Sequence, residues 1–160
     1  MKSGIAGFRH CFVQDYELVE RVSQLPNITK ADLDREAYKV KEGDIVIIDS
    51  AYKLEPFTAA TNTEVDKRLL INAESAEWFR DHKVKAVGFG DGVSIENCNE
   101  DVKPFHDILL AENIIFIEVL KNLDQLQKDV FFMSFSPLPI VGLDSSPVHA
   151  YAIEGIKEFS

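Results

Sequence analysis

Apolar positions in this chain fall in short runs whose spacing switches between that of strands and that of helices. Ile45-Val46-Ile47-Ile48 is an unbroken β-branched run, which predicts a strand covered on both faces. Upstream, Cys11-Phe12-Val13 is a shorter β-prone run, and Thr29-Lys30-Ala31-Asp32 has the hydroxyl-x-x-acid form of a helix start, with a short helix to about 35. Lys41-Glu42-Gly43-Asp44 reads as a turn, and 52–72, with Pro56 and a Thr/Asn cluster, mostly as loop. Asn72 then caps a helix through 82, with Ala73, Ala76 and Phe79 at helical spacing. A strand over 84–89 runs into Gly90-Asp91-Gly92; a helix over 101–112 sets Val102, Phe105 and Leu109 on one face; a strand covers 114–119. Two late strands, near 130–136 and 148–153, flank a loop with Pro137 and Pro139. Strands alternating with helices predict an α/β fold, a mixed sheet with flanking helices whose late strands form an antiparallel part.

The 160 residues fit one domain, 1–160, with no repeat or linker to divide them. A chain 46% hydrophobic and 28% charged is neither disordered nor collagen-like. Its apolar runs are far shorter than the roughly 20 residues that cross a bilayer, and the N-terminus lacks the apolar core of a secretory signal. Cys11 and Cys98, isolated and without a paired spacing, read as reduced thiols of a cytoplasmic protein. The net charge of −10 argues against nucleic acid or an anionic membrane as partner. That charge is uneven, net −3 over residues 1–80 and −7 over 81–160. An acidic solvated surface and a field that attracts a cation both fit the imbalance.

Gly88-Phe89-Gly90-Asp91-Gly92 invites a phosphate-loop reading, but Val93 stands where a third glycine would follow and no Gly-Lys-Ser/Thr ends the run. A tight turn leaving a strand accounts for the glycines, and no nucleotide site is assigned. No Gly-x-Ser-x-Gly elbow is present for a serine hydrolase. His106 has apolar helical neighbours in Val102, Phe105, Leu109 and Leu110. Glu118 sits within Ile114-Ile115-Phe116-Ile117-Glu118-Val119-Leu120, where an aliphatic residue is expected. A buried, unpaired carboxylate costs several kcal/mol, so Glu118 should have a proton, a cationic partner or a metal. His and Glu both ligate zinc, while a hydrogen-bonded core His and a strand-end Glu remain the plainer alternative. His10, His82 and His149 have no comparable setting.

Several segments resemble the cyclase-like metal-dependent hydrolases, the family of bacterial kynurenine formamidase (arylformamidase) and isatin hydrolase. Ile28-Thr29-Lys30-Ala31-Asp32-Leu33 with Lys41-Glu42-Gly43-Asp44-Ile45-Val46-Ile47-Ile48 is similar to the family's helix-then-strand segment. Ala76-Glu77-Trp78-Phe79 with Val84-Lys85-Ala86-Val87-Gly88 resembles its next helix and strand. The strongest match is His106-Asp107-Ile108-Leu109-Leu110 followed by Ile117-Glu118-Val119-Leu120-Lys121-Asn122-Leu123-Asp124-Gln125-Leu126. Pro137-Leu138 through Ser146-Pro147-Val148-His149-Ala150 resembles the closing segment. The resemblance implies a swivelling β/β/α fold, a homo-oligomer, and hydrolysis of an amide or lactone by metal-activated water. It assigns His106 and Glu118 as metal ligands, zinc or manganese being the ions expected.

One part of the family pattern is missing. Its His-x-Gly-Thr-His-x-Asp-x-Pro-x-His motif, source of further ligands and a proton shuttle, does not occur in this chain. Phe8-Arg9-His10-Cys11-Phe12-Val13-Gln14-Asp15 resembles the strand after that motif, so the fold is expected to be N-terminally shortened, and His10 is no motif histidine. Two ligands fall short of a catalytic zinc site. Asp91, Glu96 and Asp107 are the nearest acidic candidates, and no catalytic residue is assigned. The expectation is a hydrolase scaffold with an incomplete centre and metal at low occupancy or absent. The alternative is a non-catalytic, oligomeric small-molecule-binding or regulatory module. A shortened paralogue, a truncated reading frame and ligands donated by a partner subunit are all open explanations.

Overall fold

The computed structural model describes residues 8–15, 28–50, 68–94 and 99–156, with 8–15 and 99–101 described by their backbone alone. Among them a six-stranded sheet is built from β1 (Phe8–Asp15), β2 (Ile45–Ser50), β4 (Ala86–Gly90), β6 (Ile115–Leu120), β7 (Val130–Pro137) and β8 (Val148–Ile153). Its order is β6-β4-β2-β1-β7-β8. Neighbours from β6 to β1 are parallel, whereas β7 runs antiparallel to both β1 and β8. The mixed α/β fold and the antiparallel late strands agree with the sequence pattern.

Three helices, α1 (Lys30–Glu36), α2 (Ala73–Asp81) and α3 (Asn99–Ala111), supply Leu33, Phe79, Phe105 and Leu109 to one core. That core packs on Val46, Ile48, Val87 and Phe89. The alternate residues Ile45, Ile47, Ala86 and Ile117 enter a second core with Leu120, Leu123, Phe131 and Met133. All six residues of β2 are buried: the two-residue period sends Val46 and Ile48 into one core and Ile45 and Ile47 into the other, and buried Asp49 and Ser50 end the strand.

Local chemistry sets the helix ends. Thr29 and Asp32 form a reciprocal capping box at α1. Asn72 accepts the Ser75 amide at 3.0 Å to open α2, and the Ser75 hydroxyl donates to the Ile28 carbonyl at 2.7 Å. Asn113 closes α3 in the left-handed region, φ +58, while the Ile114 amide reaches back to the Leu109 carbonyl at 3.0 Å.

The loop expected over 52–72 lies outside the described residues up to 67, as do Glu96 and Cys98. The end of that stretch differs from expectation. Leu69–Leu70 forms a short parallel pair, β3, with Val93–Ser94, β5. Such a two-residue pairing has no sequence signature of its own, since it depends on where Gly92 is held.

Candidate functional site at the carboxyl ends of the parallel strands

Parallel α/β sheets gather loops, and with them ligands, at the carboxyl ends of their strands. Here those ends belong to β1, β2, β4 and β6. Asp49, near the end of β2, is 1% exposed, and its Oδ1 accepts the Gly92 amide at 3.2 Å. Ser50 donates its hydroxyl to the Gly92 carbonyl at 2.8 Å. A Cβ on Gly90 would stand 2.1 Å from Asp49 Oδ1. Gly90 therefore lets a carboxylate lie against backbone, and a Cβ on Gly88 would stand 2.3 Å from Ile47 Cδ1. The turn read for the whole run is confined to Asp91 and Gly92: Gly88 and Gly90 lie within β4, and none of the three glycines takes a positive φ. Lys121, just after β6, binds Asp91 at 2.7 Å and so joins the β4 and β6 ends.

Glu118 occupies a β-bulge. β4 pairs Gly88 with Ile117 and Gly90 with Leu120, so Phe89 alone faces the two residues Glu118 and Val119. Val119 takes φ +55 there. Ile117 and Leu120 consequently both point into the core while Glu118 is exposed. The expectation that Glu118 is buried fails: it follows core-facing Ile117 in the ordinary alternation and is exposed, and the extra residue returns Leu120 to the core. A bulge is set by cross-strand register, which one apolar run cannot reveal.

His106, on α3, is half-buried on the helical side of the sheet. Its Nδ1 lies 2.8 Å from the Val102 carbonyl and must donate to it, so the neutral ring carries its lone pair on Nε2. This orientation suits a metal-binding histidine. His82 has the same bond to the Trp78 carbonyl, at 2.8 Å, so the geometry alone does not single out His106. The His106 ring meets Phe116 edge-on, centroids 4.9 Å apart, and Glu118 is two residues further along the strand, about 7 Å. His106 thus packs against the first half of β6, and Glu118 lies further toward its carboxyl end. Asp107 is drawn into an i,i+4 ion pair with Lys103 on the exposed face of α3, away from this region.

Beside the bulge opens a cavity of about 580 Å³. Leu120, Leu123, Phe131 and Met133 floor it, and Glu118, Lys121, Asn122, Gln125, His149 and Tyr151 stand around it. His149, set aside by its sequence context, therefore shares a cavity with Glu118; the signal would have been its place two residues before Tyr151 on a strand of period two. His106 is not among the lining residues. Among the described residues no three His, Cys, Asp or Glu side chains come together to hold a metal ion. His106 and Glu118 by themselves do not fit a catalytic zinc, which takes three protein ligands and a water.

No family model and no curated protein matches the chain. Solved structures do. A predicted metal-dependent hydrolase from Bacillus stearothermophilus is 23% identical, with a TM-score of 0.69 over 91% of this chain and 63% of that one. Isatin hydrolase A from Ralstonia solanacearum gives 23% identity and a TM-score of 0.68 over 91% and 60%. Isatin hydrolase A from Labrenzia aggregata gives 14% and 0.71 over 91% and 60%. The chain thus spans less than two thirds of the length of these proteins. At such identities the likeness is one of architecture, and it runs through almost the whole of this chain: its fold is that of the cyclase-like metal-dependent hydrolases.

Proposed function

We propose that this chain is a cyclase-type hydrolase scaffold that, on its own residues, binds a small carbonyl compound without a complete hydrolytic centre. The observation that carries the reading is the cavity beside the Glu118 bulge. Its volume suits a small organic molecule. The apolar floor favours a ring or short chain, and the Lys121 ammonium or the Asn122 and Gln125 amides can donate to a carbonyl oxygen. The family chemistry, opening of an amide or lactone by metal-activated water, needs more donors than His106 and Glu118 supply, and no hydrolytic step is assigned to them. Zinc or manganese at those two residues would be held weakly. The chain also reads as a homo-oligomer.

Elemental analysis of the purified protein, with zinc and manganese titrations and a turnover assay on an aryl formamide and on isatin, tests this. The expected result is metal far below one equivalent and no turnover. One equivalent of tightly bound metal, with turnover abolished by His106→Ala, overturns the reading.

A further inference from the structure

The homo-oligomer reading leaves open which surface meets which, and the inference here rests on that reading. Of the ten large hydrophobic side chains exposed among the described residues, six lie between 138 and 153. Val141 at the hairpin tip is 99% exposed, flanked by exposed Leu138 and Leu143, and Tyr151 and Ile153 follow on β8. Residues 130–153 hold a single formal charge, Asp144, in a chain that is 28% charged. Depletion of charge around apolar side chains is the compositional mark of an interface core.

The hairpin is also built to hold its shape. The Leu138 amide bonds the Pro147 carbonyl at 3.1 Å, the Ile140 amide bonds the Leu138 carbonyl at 2.9 Å, and Pro137, Pro139 and Pro147 restrict the backbone. A preorganised tip loses little entropy when it docks. Among the described residues the two sheet edges differ in the same sense. At β6 the edge is interrupted by the bulge and carries Glu118, both of which oppose strand addition. At β8 the edge is six residues long, with no Asp, Glu, Lys, Arg or Pro and a regular ladder to β7.

We propose that the β7–β8 hairpin is the surface on which a second copy of this chain docks, hairpin against hairpin across a two-fold axis. Charge selects this occupant. A surface almost free of charge fits a partner equally free of it, and the same hairpin of another copy is such a surface by construction. Two chains of net −10 meet there with the least repulsion. A lipid surface fits worse, because residues 130–153 contain no Lys or Arg to engage headgroups.

Light scattering on the full chain, with flotation on phosphatidylcholine vesicles, reads the outcome. The unaltered protein is expected at twice its 18.0 kDa mass. Val141→Asp and Leu143→Asp are expected to weaken the dimer by roughly tenfold or more, about the loss of one interface anchor. Both keep the circular dichroism of the parent, since the two side chains are exposed, whereas Ile115→Asp on β6 leaves the mass unchanged. A dimer that survives both hairpin substitutions overturns the hairpin as its surface and leaves the oligomer reading standing. A monomer at every concentration overturns both, and a monomer that floats with the vesicles assigns the hairpin to lipid instead.

Discussion

Asp49 and Gly90 are a matched pair. The carboxylate lies where a side chain on residue 90 would be, and its Oδ1 takes the Gly92 amide that would otherwise face the core. Adding a methyl at 90 must displace a buried carboxylate from its donor, so Gly90→Ala is expected to cost about 2–3 kcal/mol. Asp49→Ala strands the Gly92 amide and costs about 1–3 kcal/mol. In the double variant the methyl meets no carboxylate, so the combined loss should fall short of the sum by about 1 kcal/mol. Urea midpoints at unchanged m-value measure all three; strict additivity would refute the contact. At this scale the sequence is legible only in part. The glycine run reads as a turn, but Gly88 and Gly90 belong to β4, and the cause of Gly90, Asp49, lies some forty positions upstream and is invisible locally. Glu118 misleads as well: its neighbours are apolar, yet Ile117 faces the core and Glu118, next along the strand, is exposed.

The junction of α1 and α2 shows the opposite case, elements whose ends are written in their own residues. The capping box at Thr29 and the Asn72 cap are both visible in the sequence and both form. What joins the two helices is less visible. The Trp78 indole donates to Asp34 Oδ1 at 2.8 Å, and its face stacks on His82 at 3.8 Å. The Lys30 ammonium, 2.5 Å from Asp34, and then the Trp78 bond hold the Asp34 carboxyl below its ordinary value of 3.8. A depressed carboxylate stabilises the fold wherever the pH lies above the unfolded value. That contribution is lost as pH falls through the lower folded value. Because Trp78 is the only tryptophan, its emission reports this contact directly. Acid titration should give a fluorescence step centred below pH 3.8 that is missing in Asp34→Asn. An identical titration in the two proteins would show that the contact does not form. The strand ladder needed the structure for a different reason: β1 lies between β2 and β7, far from either in sequence, and no local pattern encodes such a pairing.

For the molecule as a whole, charge and shape set opposite demands on assembly. The chain carries −10, and its acidic excess is concentrated in the second half, yet the hairpin within that half is almost neutral. Docking through the hairpin therefore buries apolar surface while the remaining charges of the two copies repel through solvent. That repulsion has a range of about 30 Å at 0.01 M salt and about 10 Å at 0.1 M. Association should consequently tighten as salt is raised from about 0.01 to 0.2 M, measured by sedimentation equilibrium. An interface held by ion pairs would weaken over the same range, since screening would then remove attraction. The sign of the salt dependence thus separates the two modes without any substitution. It also bears on the cavity, because Val148, Ala150 and Tyr151 belong at once to its wall and to β8. A small molecule seated there would touch the strand that meets the second copy, so binding and assembly should be coupled in this chain.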